Sequence, residues 1–313
     1  MKAVVIVQMG SPAQVIDVET PAPAVGEVRV RVHAAAVNPF DGKNASGAYG
    51  QVKVPHIPGI DGAGVVEMVG EQTRAYSVGD RVFGRLGGPG RGTFAEYVVV
   101  PESGVLARVP EGLDFATAAA LPVAGLTASG LLEDLALPAG SRLLVLGATG
   151  GVGSFLVQLA ARAGIEVIAT ARPELAGRML DFGAAATLDH TSSMSLVEQL
   201  ERLGGSPLDA LVDLVGDGRF IDALAQAVRP GGRAISTVGV IDPDKLAARQ
   251  LTGSNFRGHS TVPMLQELGD LARSGRLVVP IERELSLEDG PRALEESRSG
   301  HLHGKTVLLI KRG

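Results

Sequence analysis

Leu143-Leu144-Val145-Leu146-Gly147-Ala148-Thr149-Gly150-Gly151-Val152-Gly153 runs from an apolar segment into a glycine-rich turn. Four consecutive apolar residues bounded by glycine suit a strand buried on both faces. After the turn, Phe155, Leu156, Leu159 and Ala160 recur at helical spacing, which lays one apolar stripe against a sheet. A second apolar run at 166–170 completes a βαβ unit. Glycines in such a loop permit the tight turn, the close approach of a pyrophosphate and the packing of helix on strand. The free N–H groups at the helix start favour an anion. Gly147, Ala148, Thr149, Gly150, Gly151, Val152 and Gly153 are therefore the candidate phosphate cradle of a dinucleotide. No Lys-Ser/Thr pair follows the glycines, which excludes a triphosphate-binding loop.

About 20 residues beyond such a loop, an NAD site carries Asp or Glu at the end of the second strand. Thr170-Ala171-Arg172 stands there instead. With no carboxylate to repel it, a 2′-phosphate has the Thr170 hydroxyl and the planar Arg172 fork as partners, so NADPH is the expected cofactor. The competing reading makes Arg172 a solvated loop residue, and Arg178 is a weaker phosphate candidate.

Further strands are predicted at 186–188, 210–214 and 234–238, which extend the unit into an α/β domain with a parallel sheet over 123–258. The first third instead breaks into short strands at 27–34, 64–69, 81–83 and 95–100 between Gly/Pro turns. Residues 263–274 read as a helix, and 277–281 and 306–310 as strands returning to the first domain. Residues 1–122 and 259–313 are thus expected to form one β-rich domain.

With 313 residues, 45% of them hydrophobic and 20% charged, each domain has enough chain for its own core. A net charge of −5 without any Lys/Arg block gives no attraction for nucleic acid or an anionic membrane. Residues 1–7 read as a first strand, and every apolar stretch is broken before the roughly 18 residues of a spanning helix. A soluble, cytoplasmic protein is expected. Cysteine is absent, which excludes disulfides, thiolate nucleophiles and thiolate-bound metal.

A series of motifs spans nearly the whole chain in order. It runs Val37-Asn38-Pro39-Phe40-Asp41-Gly42-Lys43, then Pro58-Gly59-Ile60-Asp61-Gly62-Ala63-Gly64-Val65-Val66, then Gly79-Asp80-Arg81-Val82. Gly92-Thr93-Phe94-Ala95-Glu96-Tyr97, the glycine loop, Gly300-His301 and Gly304-Lys305 follow. The series resembles the zinc-independent quinone oxidoreductase (zeta-crystallin-like) family of the medium-chain dehydrogenase/reductase superfamily. That resemblance implies a GroES-like catalytic domain built from both chain ends, an inserted Rossmann-type domain with a doubly wound parallel sheet, and a cofactor in the cleft. It also implies that 213–216, with Val215, and the loop at Val238 and Gly239 run past the nicotinamide. The family's loop more often begins with Ala where Gly147 stands. Its basic residue after the second strand would fall near Leu175, leaving more of the 2′-phosphate to Arg172. Zinc-dependent relatives place Cys, His and Cys at positions corresponding to Asn38, Ile60 and Val123, none of which can do that work. Only a short loop joins Phe83 to Thr93, where those relatives carry a structural-zinc lobe.

Without a metal, polarising an acceptor oxygen falls to hydrogen-bond donors. By family position these are Asn38, Tyr49 and Thr127. Asn38 and Thr127 are expected to hold nicotinamide or acceptor oxygen; Tyr49 either donates to the developing oxyanion or packs at the base of its loop. Asp41 and Lys43 are expected to pair with each other or with backbone, and Asp61 to support its turn. Tyr49 and Lys53 match a Tyr-x-x-x-Lys spacing, but in a segment too rich in Gly and Pro for the helix that arrangement needs. His301 and His303 lack a third ligand, so no metal site is expected. A conjugated acceptor needs the least electrophilic help, which points to hydride transfer to a quinone or an α,β-unsaturated carbonyl. Binding of NADPH without turnover, as a sensor or interaction module, is the alternative. Residues 251–256 resemble the last strand of the nucleotide-binding sheet, whose open edge predicts a homodimer.

Overall fold

The computed structural model describes residues 1–50, 53–216, 218–298 and 303–310. Gln51 and Val52 of the Tyr-x-x-x-Lys segment, and Gly300 and His301 of the closing motif, lie outside the described residues. The chain divides into two compact units, one of Met1–Leu126 with Ser260–Gly313 and the other of Thr127–His259.

The first unit opens with β1 (Lys2–Val5) and β2 (Gln14–Asp17), an antiparallel pair. After β3 (Glu27–Val37) come α1 (Pro39–Ala45), β4 (Asp61–Val69), β5 (Arg81–Arg85), β6 (Tyr97–Pro101) and β7 (Leu106–Arg108). Helices α2 (Phe115–Ala120) and α3 (Pro122–Leu135) follow, and the boundary between the units falls inside α3. In β3 the period of two is plain: Val28, Val30 and Val32 are buried while Arg29, Arg31 and His33 are partly exposed. From Ala34 onward both faces of β3 are buried, and the small side chains of Ala34, Ala35 and Ala36 let the alanine-rich α2 pack on it.

The second unit alternates β8 (Arg142–Leu146), α4 (Gly151–Arg162), β9 (Glu166–Thr170), α5 (Pro173–Asp181), β10 (Ala186–Leu188) and α6 (Leu196–Leu203). It continues through β11 (Leu208–Asp213), α7 (Gly218–Leu224), β12 (Val228–Ser236), α8 (Pro243–Ala247) and β13 (Thr252–Asn255). The six strands form a parallel sheet in the order β10-β9-β8-β11-β12-β13. Ile168, Leu144, Leu211 and Ala234 stand in register across it and build its core. Every residue of β8 is buried, as its uninterrupted apolar run requires. From β8 the chain winds outward one way through β9 and the other way through β11, so the C-terminal end of β8 is the switch point where such sheets bind ligands.

The chain then returns to the first unit as α9 (Val262–Arg273), β14 (Ile281–Ser286), α10 (Gly290–Ser297) and β15 (Lys305–Leu309). The resulting sheet runs β14-β15-β3-β4-β5-β7, with β6 also paired to β3. Two elements depart furthest from the sequence reading. The strand expected at 277–281 forms instead at Ile281–Ser286, where Glu282, Arg283 and Glu284 disguise a strand that alternates partly buried and exposed positions. Leu277 is buried without joining a strand. β12 starts at Val228 rather than at 234, because the polar, glycine-containing stretch 229–233 continues the strand along an exposed end. It stops at Ser236, from where 237–239 turn away.

Candidate functional site

The glycine loop leaves the C-terminal end of β8. Gly147 holds φ at +79°, a conformation that suits glycine because it has no Cβ. Its N–H donates to Thr170 Oγ1 at 2.9 Å, and that hydroxyl donates to the Val145 carbonyl at 3.2 Å. The Thr170 proton is therefore committed to the strand ends, and Thr170 stands as a brace of the loop rather than as an open phosphate donor. A Cβ on Gly153 would lie 2.6 Å from Ala148 Cα, so α4 closes on the loop only because residue 153 has no side chain. Gly150 caps α4 in extended conformation and supplies no side-chain acceptor. The first N–H groups of α4 are thus left without a side-chain cap, as an anion-binding helix start requires. Ala148 and Thr149 are buried beneath the turn, while Gly151 and Val152 begin the helix with partial exposure.

Beyond β9, Ala171 is buried and Arg172 is exposed at the N-cap of α5. The loops after β11 and β12 share one brace. Asp213 is buried; its Oδ1 accepts from the N–H groups of Val215 at 3.0 Å and Gly216 at 3.1 Å, and its Oδ2 accepts from Ser236 Oγ at 2.8 Å. Ser236 Oγ in turn accepts from the Val238 N–H at 3.1 Å. Above this polar anchor Val215 is 58% exposed and Val238 38% exposed, with Gly239 turning at φ +81°. A Cβ on Gly147 would meet Val215 Cγ2 at 3.0 Å, so all three loops crowd together. Ser236 escaped the sequence reading, because a serine at the end of an apolar strand carries no signal of its partner.

In the first unit Asn38 is buried, with its amide held at both ends. Its Oδ1 accepts from Lys305 Nζ at 2.6 Å and its Nδ2 donates to Asp61 Oδ2 at 2.9 Å. The Asn38 side chain is therefore fixed in place rather than an open donor. The Asn38 N–H donates to Asp41 Oδ2 at 2.8 Å, so Asp41 pairs with backbone at the start of α1. Asp61 does more than support a turn, since both its oxygens lie 3.1 Å from the Val123 N–H at the start of α3. Burial pushes the Asp41 carboxyl up to about 7, with the Asp61 charge adding and the Asn38 N–H and Lys305 opposing. Burial raises Asp61 to about 6 against the pull of Lys305, and burial lowers Lys305 against both carboxylates. Lys305 was missed as a site residue; the signal available was a lysine at the head of an otherwise apolar strand. Tyr49 is 60% exposed and its ring stacks on Phe40, centroids 5.1 Å apart. Thr127 is partly buried on α3, in the second unit. Among the described residues no group of three or more His, Cys, Asp or Glu is arranged to hold a metal ion. No helix there is long and apolar enough to cross a membrane.

Residues 24–111 match the family model described as alcohol dehydrogenase GroES-like domain, and 182–308 that described as zinc-binding dehydrogenase. The quinone oxidoreductase of Lama guanicoe is 31% identical, over 99% of this chain and 98% of its own. The chloroplastic NADPH-dependent alkenal/one oxidoreductase of Arabidopsis thaliana is 32% identical, over 90% of this chain and 72% of its own. The solved structure of the quinone oxidoreductase from Coxiella burnetii has a TM-score of 0.90 at 28% identity, covering 99% of both chains. The GroES-like unit and the Rossmann-type parallel sheet define an oxidoreductase of the medium-chain dehydrogenase/reductase superfamily. Within it, the chain belongs to the quinone oxidoreductase family. A nicotinamide cofactor accompanies that assignment.

The buried carboxyls make stability depend on pH. Asp41 holds its proton more tightly folded than unfolded, where it titrates near the ordinary 3.8. Its contribution is therefore fully present below about pH 4 and is lost as pH rises through about 7. Asp41→Asn imitates the protonated acid at every pH. Between those limits the wild type should lose several degrees of melting temperature relative to the variant, at about 1.4 kcal/mol per pKa unit. Thermal melts at both ends check this, and a difference that does not change with pH refutes it.

Proposed function

We propose that the chain is a zinc-independent reductase that uses NADPH to reduce a quinone or an α,β-unsaturated carbonyl. The observation that carries the reading is the braced glycine loop at the sheet's switch point, closed against α4 at Gly153. NADPH fits this cradle, and when bound it supplies the hydride. The chain's own part is to hold and to shield. Gly147, Ala148, Thr149, Gly150, Gly151, Val152 and Gly153 receive the pyrophosphate, and Arg172 takes the 2′-phosphate in place of the committed Thr170. Val215, Val238 and Gly239 wall the nicotinamide on the Asp213–Ser236 anchor, and Thr127 is the candidate hydrogen-bond partner for its carboxamide. Tyr49 offers a hydroxyl to the oxygen on which charge develops. Membership of an enzyme family favours turnover over the binding-only alternative. The proposed setting is cytoplasmic.

Zinc does not fit the acceptor side. The Asn38 amide is held between Lys305 and Asp61, Ile60 offers hydrocarbon, and the Val123 N–H is bound by Asp61. Conjugated acceptors suit such a site because hydride at the β-carbon, or on a quinone, leaves a delocalised oxyanion that a hydrogen bond stabilises. Protein treated exhaustively with chelator should therefore transfer deuterium from C4-deuterated NADPH to the β-carbon of an enone, with the adjacent proton from solvent. Deuterium on the carbonyl carbon, giving an allylic alcohol, would move the chain to carbonyl reduction; loss of turnover on chelation would restore a metal.

Arg172→Ala should raise KM for NADPH far more than KM for NADH, since a charged phosphate contact is worth roughly 1.5–3 kcal/mol. Steady-state kinetics with both cofactors check this, and equal use of the two by the unmutated protein rejects the preference.

We also propose that the protein is a homodimer. The parallel sheet ends at β13, a short strand whose outer backbone groups have no neighbouring strand among the described residues. Pairing with its copy across a two-fold axis would satisfy those groups. Light scattering should give twice the chain mass, and a monomer at every concentration decides against it.

A further inference from the structure

Lys305 is 3% exposed, and among the described residues its ammonium makes a single hydrogen bond, to Asn38 Oδ1. Asn38 is bracketed by a cation at its oxygen and by the Asp61 carboxylate at its nitrogen. An amide so placed has one orientation. Turning it over would set its NH2 against the ammonium and its oxygen against the carboxylate. The contact is then passed on in two directions. The Asn38 N–H is bound by Asp41 at the start of α1, and Asp61 binds the Val123 N–H at the start of α3. The Thr93 hydroxyl donates to the Asp61 carbonyl at 2.8 Å, which ties the same point to the loop before β6. α1 carries Phe40 and leads to Tyr49 stacked upon it, and α3 carries Thr127 one turn beyond Val123.

We infer that Lys305 is a positioning residue: through Asn38 and Asp61 it fixes where α1 and α3 begin, and thereby the segments that bear Tyr49 and Thr127. That these segments serve the acceptor and the cofactor rests on the function proposed above; the positioning itself does not. Lys305 comes from the last strand of the chain, 267 positions from Asn38, so the closing strand sets the geometry of a segment near the start.

Lys305→Met keeps most of the length of the side chain and removes its charge. Hydrogen exchange followed by mass spectrometry should show faster exchange at 38–50 and 122–130, with 147–170 in the cofactor loop unchanged. Turnover with a quinone should fall between about tenfold and a hundredfold, as for a misplaced group, while KM for NADPH rises by no more than the loss of one hydrogen bond at Thr127 allows, about tenfold. Exchange that rises evenly through the first unit, or that is unchanged at 38–50, overturns the inference; raised exchange at 38–50 with an unaltered kcat would instead overturn the roles given to Tyr49 and Thr127. If the single variant does not fold, Lys305→Met/Asp61→Asn removes one charge of each sign. The double variant should regain melting temperature without regaining protection at 38–50. Recovery of both would reduce Lys305 to a counter-charge and overturn the inference. Absence of turnover by the wild type with every quinone and enone would sink the acceptor reading, while the exchange pattern would still decide the role of Lys305.

Discussion

A lysine buried in an apolar strand is the constraint on which the first unit turns. β15 lies between β14 and β3, and Val307 and Leu308 beside Lys305 are wholly buried, so its ammonium has to find anions inside the protein. Asp41 and Asp61 supply them. Two carboxylates against one ammonium leave an excess of negative charge, and burial meets it by raising both acids until Asp41 titrates at about 7. The same groups bind the first N–H groups of two helices, so helix capping and charge balance are one arrangement. Removing the ammonium alone leaves both buried carboxylates uncompensated, a costlier change than removing it together with one of them.

The second unit solves a related problem without a cation. Asp213 is as deeply buried as Asp61, and it is satisfied by two backbone N–H groups and the Ser236 hydroxyl. Thr170 does the same for the glycine loop with a single hydroxyl used once as acceptor and once as donor. Both braces sit at the C-terminal ends of parallel strands, and above the Asp213 brace the side chains of Val215 and Val238 stay exposed. Rigid anchors under exposed apolar side chains are what a wall for a flat heteroaromatic ring requires, because the loops need no ordering when the ligand arrives. The two units thus reach preorganisation by different chemistry, hydrogen bonds alone in one and a buried ion cluster in the other.

The βαβ unit, the glycine cradle and the alternation of β3 were legible in the amino-acid sequence, because each is local. Buried strands are continuous apolar runs, helices repeat at 3.6 residues, and a turn with φ of +79° calls for glycine at 147. The lack of cysteine, and the identities of residues 38, 60 and 123, likewise speak without a structure. β14 is hard to place because its charged outward positions hide the period, and the start of β12 because Pro230, Gly231 and Gly232 read as a loop. Only the tertiary structure decided what Thr170, Asn38 and Lys305 do. Sequence offers Thr170 as a phosphate donor and Asn38 as an open amide, but packing brings the Val145 carbonyl to the first, and Lys305 and Asp61 to the second. A polar side chain's role is set by the partners that burial forces upon it, and those partners lie far away in the chain, where no local pattern can reach.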